Sequence, residues 1–307
     1  MNGRLLPMTL LLTILGLCLF ETVSSIDNAI INAEVLRTMG KKAQTWFLVY
    51  GIILAVFVIR GGLPWMLVWA TNPTLGAWGA LTASFSTDPV VHRSVEAAAP
   101  MLLMGGGTFL LLLFFHWLFL EPKEFGLPLE KFFASQGVWF FAVAGLLLTA
   151  IVWEAMQLDD LAAFSAVVGS TVFFITHGFK ENAEKAEASL LTKHRSDISK
   201  IFYLEVIDAT FSIDSVLGAF AFTFSVPLIL LGNGLGALVV RQLTLGNIEH
   251  IKKYKYLKNG AMYSILCLGS IMLLDAFAVH IPEWVSPVIT FLVIGYFFWK
   301  SKREITG

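Results

Sequence analysis

Charged residues are scarce. Asp, Glu, Lys and Arg make up 14% of the 307 residues, against about 25% in a soluble domain. That deficit excludes a soluble enzyme, a disordered chain and a nucleic-acid binder with a basic face. Net charge is −1, so no long-range attraction to DNA or anionic lipid operates. Cysteine is nearly absent. Cys18 and Cys267 each sit in an apolar run, which excludes a disulfide framework and lacks the spacing of a zinc site. There is no catalytic triad, P-loop or zinc-protease pattern, so no enzymatic activity is expected. What is abundant is apolar: 57% of residues are hydrophobic, with 26 Phe and 9 Trp, and the mean hydropathy is +0.75. The solvent of such a chain is the lipid bilayer.

A bilayer-spanning helix needs about 20 mostly apolar residues. The sequence offers nine such stretches, at 5–35, 44–60, 101–120, 137–156, 159–178, 201–224, 226–245, 260–280 and 284–300. The expected class is an all-α polytopic membrane protein. The first stretch is too long for one straight span, so it is expected to hold a break or a cytoplasmic extension. With Arg4 ahead of an apolar run it is similar to a signal peptide. No A-x-A site follows, and bulky Leu17 precedes Cys18 where a lipoprotein site wants a small residue. It is therefore read as the first span.

Lys and Arg set the orientation. Of 21, all but Arg4, Arg60 and Arg93 fall at connections that follow odd-numbered spans, or in the tail. This predicts a cell-membrane protein with its N-terminus outside and its C-terminus in the cytoplasm. Residues 61–100 are apolar but broken by Pro64, Pro73 and Gly76. They read as an outer insertion, re-entrant or interfacial, or as a hairpin of two further spans. Residues 180–200 are the main soluble piece, with Glu181, Glu184, Lys185 and Glu187 at helical spacing. The chain thus divides into a first repeat (1–120, including the insertion), spans four and five (121–179), a cytoplasmic segment (180–200), a second repeat (201–280) and a last span with its tail (281–307).

The repeat is legible as a motif. Glu21-Thr22-Val23-Ser24-Ser25-Ile26-Asp27-Asn28 lies in span one, and Asp208-Ala209-Thr210-Phe211-Ser212-Ile213-Asp214-Ser215 lies in span six. Both read acid-x-x-x-Ser-Ile-Asp-(Asn/Ser). The next span of each half carries a glycine and, nine residues on, an arginine: Gly51 with Arg60, and Gly232 with Arg241. The third spans carry Gly105-Gly106-Gly107 and Gly260. Spans one and six are five crossings apart and so run in opposite directions. This is the signature of an inverted-topology three-helix repeat, spans 1–3 and 6–8, an architecture of secondary transporters with the site at the repeat interface.

Six acids fall at membrane depth: Glu21, Asp27, Glu205, Asp208, Asp214 and Asp275. Each costs about 2.5–3.5 kcal/mol at a helix centre. No Lys or Arg stands deep in the same spans, so neutralisation by buried ion pairs is disfavoured for the paired motifs. For Asp275 and Glu205 a structural role competes more evenly. Carboxylates, hydroxyls and an amide are oxygen donors, which suit hard ions such as Mg²⁺, Ca²⁺ or Mn²⁺. The candidate metal-path residues are Glu21, Asp27, Asn28, Asp208, Asp214 and Ser215. Ser25, Glu205, Ser212, Asn233 and Asp275 are further candidates. On a regular helix Glu21, Ser25 and Asn28 share a face while Asp27 sits about 120° away. Either the helix breaks, or Asp27 faces another neighbour; the same holds for Asp214. Desolvation disfavours charge on deep carboxylates, so such an acid can exchange a proton for a metal.

Weaker features have blander readings. His116, His177 and His280 fit structural or interfacial roles better than ligation, although His177-Gly178-Phe179-Lys180 can line an inner vestibule. Gly232-Asn233-Gly234-Leu235-Gly236 lacks a βαβ context and reads as small-residue helix packing. Arg60 and Arg241 are expected to snorkel to the interfaces, with the gating of a carboxylate as the alternative.

The string Phe20–Ala29 around the first motif resembles the first motif of the TerC integral membrane family, and Glu205–Ser215 resembles its second. Gly51…Arg60 and Gly232…Arg241 resemble that family's second spans. The resemblance covers most of spans 1–3 and 6–8; the longer 61–100 stretch departs from it and places the chain in a separate branch. It implies a member of the lysine exporter superfamily, linked to tellurite resistance and manganese export, with Glu21, Asp27, Asn28, Asp208, Asp214 and Ser215 on the metal path. An acid-lined interior repels the tellurite oxyanion. The expected function is export of a divalent cation, with Mn²⁺ favoured as substrate or bound ligand, in exchange for protons, and with no cofactor required. Two alternatives remain: an amino-acid or organic-cation exporter, and a membrane scaffold that helps the protein translocation machinery load metal, docking through 180–200.

Overall fold

The computed structural model describes residues 5–306 except 52, 72, 84–88, 193–195 and 247–250. Arg4, Lys193 and Arg195, counted above for orientation, lie outside the described residues. Among the described residues every regular element is a helix. In chain order these are α1 (Leu5–Ser24), α2 (Ile26–Leu36), α3 (Lys41–Trp46), α4 (Gly61–Thr71), α5 (Gly76–Ala83), α6 (Pro89–Leu120), α7 (Pro128–Ser135), α8 (Phe140–Ala155), α9 (Asp160–Thr192), α10 (Asp197–Ala219), α11 (Val226–Gly246), α12 (Leu257–Ala276) and α13 (Val285–Thr306). Between α3 and α4 the chain winds through wider i→i+5 turns at Phe47–Gly51 and Leu54–Arg60.

Among the described residues seven stretches are long and apolar enough to cross a membrane: Pro7–Ser24, Lys41–Arg60, Ala99–Leu120, Gly137–Ala155, Asp160–Asn182, Val226–Thr244 and Leu257–Ala276. The expected sixth and ninth spans are also helical, as α10 and α13. Charge keeps them out of that group. α10 carries Lys200, Glu205, Asp208 and Asp214, and α13 closes on Lys300, Lys302 and Arg303.

Four sequence expectations are refined. The long first stretch breaks at Ser25, whose φ of −91° and ψ of 8° leave the helical range between α1 and α2. Hydroxyls of Thr22 and Ser24 bond back to the Cys18 and Glu21 carbonyls just before it, a pattern that bends helices. Span two does not end at Arg60, because α4 follows without a gap. Within 61–100, α4 and α5 are 11 and 8 residues long, too short for the two extra spans of a hairpin. Residues 180–192 continue α9, which is 33 residues long, and its surface pair Glu181–Lys185 closes at 3.0 Å.

The core is centred on α6, which buries Met104, Phe109, Leu110 and Trp117. Apolar burial alone does not hold helices together in lipid; close approach of small residues does. Gly107 approaches Gly269 and Leu273 of α12, and Gly106 approaches Met272. On another face a Cβ on Gly169 of α9 would lie 2.0 Å from the Gly105 carbonyl oxygen. Gly232 and Gly236 of α11 serve the same end against Leu17 and Glu21 of α1. α8 turns Phe141, Leu146 and Trp153 outward, as a helix facing hydrocarbon does. This frame puts α1, α2, α10 and α11 around one polar interior and the start of α12 beside another.

Candidate functional site

The first interior is organised by Arg60. Its guanidinium is 2% exposed and donates to Glu21 Oε1 from Nη2 at 2.5 Å and from Nε at 3.1 Å. Nη1 donates to the Ala55 carbonyl at 3.1 Å and lies 3.5 Å from Asp208 Oδ2. Arg60 therefore joins the first acid of both motif copies. Asn28 adds a second link, donating to Asp208 Oδ1 at 2.5 Å. Ser25 donates to Glu21 Oε1 at 2.9 Å, so the break at Ser25 also serves to aim its hydroxyl. A planar fork of donors suits two carboxylates better than an ammonium would.

This corrects two expectations. A base does neutralise the deep acids; it comes from a neighbouring helix rather than from their own spans. Arg60 does not snorkel, since helix continues past it and holds it inside. Arg241 is also buried. It stacks at 4.2 Å over the Phe47 ring and donates to the Phe47 carbonyl at 3.1 Å.

Glu205 stands one turn before Asp208 and is 8% exposed. Neither of its carboxylate oxygens has a hydrogen-bond partner among the described residues. Its carboxylate rests on bare backbone: a Cβ on Gly51 would lie 2.2 Å from Glu205 Oε1 and 3.2 Å from an Arg241 nitrogen. Glu21 Oε2, Asn28 Oδ1 and Asn32 Oδ1 are likewise buried without partners. An unsatisfied buried polar group costs about 1–3 kcal/mol, more if charged. A cavity of about 20 Å³ lies among Asn32, Arg60, Asp208, Arg241 and Thr244, room for about one water or one bare ion.

The remaining predicted residues lie elsewhere. Asp27 faces away from Glu21 and meets Lys258 Nζ at 2.8 Å. Lys258 also bonds Glu121 Oε2 at 2.9 Å, and Lys180 lies 3.9 Å from Glu121 Oε1. Burial alone would raise the Glu121 carboxyl, but His116 at 3.6 Å and the two ammonium groups hold it well below the usual carboxylate range. Asp214 lines a second cavity of about 30 Å³ with Asp27, Glu121, Lys180 and Lys258. The six metal-path candidates thus divide: Glu21, Asn28 and Asp208 are together, Asp27 and Asp214 are together elsewhere, and Ser215 donates to the Ser212 carbonyl at 3.1 Å. Ser212 donates to the Asp208 carbonyl. Asn233 is buried on α11 with no partner among the described residues. Asp275 accepts the Ile281 N–H at 2.8 Å and holds the loop after α12. Among the described residues no three His, Cys, Asp or Glu side chains converge as a metal centre.

Lys258, Glu121 and Asn32 were not singled out as site residues from sequence. Nor was Glu130, fully buried, which accepts from the Gly126 N–H at 2.7 Å and from Asn259 at 2.9 Å. A signal for it existed: Pro128 with Glu130 two residues later marks a helix start. For Lys258 there was none, since its partners are brought to it only by tertiary folding.

Residues 26–305 match the family described as "Protein of unknown function (DUF475)". No curated protein and no solved structure matches the chain.

Proposed function

We propose that this chain, which belongs to the DUF475 family, is an integral membrane transporter that exports a divalent cation, with Mn²⁺ as favoured cargo. The observation that carries the reading is Glu205. A buried carboxylate with both oxygens unpartnered, one turn from Asp208, is a strong cation ligand held ready. Asn28 on Asp208, Glu21 on Arg60 and Asn32 beside the Asp208 cavity add hard oxygen donors in the same interior. Arg60 serves as a tethered counter-ion: a cation that reaches Asp208 takes the guanidinium's place, and a carboxylate that releases the cation can take a proton instead.

Two further features support the reading. Gly51 of the first half packs against Glu205 of α10, and Gly232 of the second half packs against Leu17 of α1. Equivalent glycines thus approach the opposite half, as an inverted repeat requires. The resemblance of both motif copies to the TerC family points to the same class of cargo.

The test is flux from proteoliposomes loaded with Mn²⁺, Mg²⁺, Ca²⁺ or lysine, with and without a pH gradient. Wild type is expected to release Mn²⁺ fastest, and Asp208→Asn to lower that flux about 10- to 100-fold. No metal flux from wild type overturns the reading. A second reading, an amino-acid exporter, is favoured by Arg241, a buried guanidinium beside the same cavity that suits a substrate carboxylate. Lysine flux without metal flux is its signature.

A further inference from the structure

The second polar interior has a shape the first lacks. An open surface cavity of about 430 Å³ is lined by His116, His177 and Glu181 together with Glu121, Lys180 and Lys258. The last three also line the smaller cavity of about 30 Å³ that Ser24, Asp27 and Asp214 border. Among the described residues only these three line both spaces, so they form the partition. Lys258 is its latch, bonded to Asp27 at 2.8 Å and to Glu121 at 2.9 Å. Lys180 closes the remaining side, with its ammonium 4.4 Å from the Phe211 ring and 3.9 Å from Glu121.

A partition made of ion pairs differs from one made of apolar side chains. Its strength depends on what else can bind the carboxylates. Asp27 belongs to α2, Glu121 follows α6 and Lys258 begins α12, so one ammonium ties three separate elements. A monovalent ion at that point replaces the latch with an equal charge. A divalent cation binds both carboxylates at least as strongly and leaves Lys258 without a partner in the bridge.

We infer that the Asp27–Lys258–Glu121 bridge is a gate between the surface vestibule and the smaller Asp214 cavity, opened by a divalent cation that displaces the Lys258 ammonium. The choice of opener rests on the transport reading above; the partition itself does not.

The gate is tested by thiol accessibility. Ser24 lines the inner cavity, so Ser24→Cys is placed in the full chain with Cys18→Ala and Cys267→Ala. The purified protein in detergent is treated with aminoethyl methanethiosulfonate, and the labelling rate is read by intact mass. Lys258→Met is expected to raise the rate about tenfold, Lys258→Arg to leave it unchanged, and Mn²⁺ to raise it in the parent. Asp27→Asn removes one arm of the bridge without touching Lys258 and is expected to raise it too, which keeps the test decisive if Lys258→Met does not fold. Equal rates in the parent and in the folded variants overturn the gate. A parent rate indifferent to Mn²⁺ overturns its opening by a divalent cation. Failure of the transport reading has a different signature: no metal flux in proteoliposomes while Lys258→Met still exposes the thiol.

Discussion

The two copies of the acid-x-x-x-Ser-Ile-Asp motif share a sequence and differ in structure. The first breaks at Ser25 between α1 and α2; the second lies inside an unbroken α10. In the first copy the side chains reach out. Ser25 bonds the Glu21 carboxylate, Asn28 crosses to Asp208, and Asp27 turns to Lys258. In the second copy the hydroxyls of Ser212 and Ser215 bond carbonyls of their own helix. Asp214 faces a cavity with no ion-pair partner within bonding distance among the described residues. Equivalent residues in a repeat therefore need not do equivalent work. The first copy makes the links, and the second supplies one acid, Asp208, for them.

The largest test of that contrast sets Arg60 against Arg241. Arg60→Met strands Glu21 and Asp208, and is expected to cost about 3–5 kcal/mol in denaturation of the purified protein. Arg241→Met removes a cation–π contact and one carbonyl bond, and is expected to cost about 1 kcal/mol. Equal losses would erase the distinction. The paired glycines come next. Gly232→Ala pushes a Cβ to within 2.5 Å of the Leu17 Cβ, which has no room to move, at about 1–3 kcal/mol. Gly51→Ala meets only the far ends of two flexible side chains, Glu205 and Arg241, so its melting point should fall by less while cation flux falls by more. The smallest effect concerns the second acids. Asp27→Asn breaks a half-buried bridge and is expected to cost about 1 kcal/mol. Asp214→Asn should stay within about 0.5 kcal/mol of wild type; a larger loss would reveal a counter-ion for Asp214.

Periodicity carried the helices and their approximate ends, because apolar runs of that length have few alternatives. It left a helix break or a separate neighbour for Asp27 as alternatives, since Asp27 could not share a face with Glu21 on a regular helix; both occur, a break at Ser25 and a bridge to Lys258. The same geometry applied to Asp214 led elsewhere: α10 stays regular and its off-face acid finds a different neighbour. Arg60 was misplaced because Gly61-Gly62 and Pro64 resemble a helix end. Wider turns before that point and α4 after it carry the chain through. Lys258 was counted as one more base in a cytoplasmic connection. Nothing local distinguishes it from Lys252 or Lys255, and only the packing of α12 beside α2 and α6 makes it a bridge. Sequence patterns speak within an element; the bridges made by Arg60 and Lys258 join elements far apart in the chain.

Because Arg60 holds an acid of each motif copy, any rearrangement that moves α1 away from α10 must first part the guanidinium from a carboxylate. Leaving such a charge alone costs about 3–5 kcal/mol, which slows the step about 10²- to 10⁴-fold. A cation that binds the vacated carboxylate lowers that barrier; an empty protein keeps it. On the transport reading proposed above, the same contact that joins the two motif copies would suppress idle cycling, so that movement without cargo is rare on the timescale of movement with it.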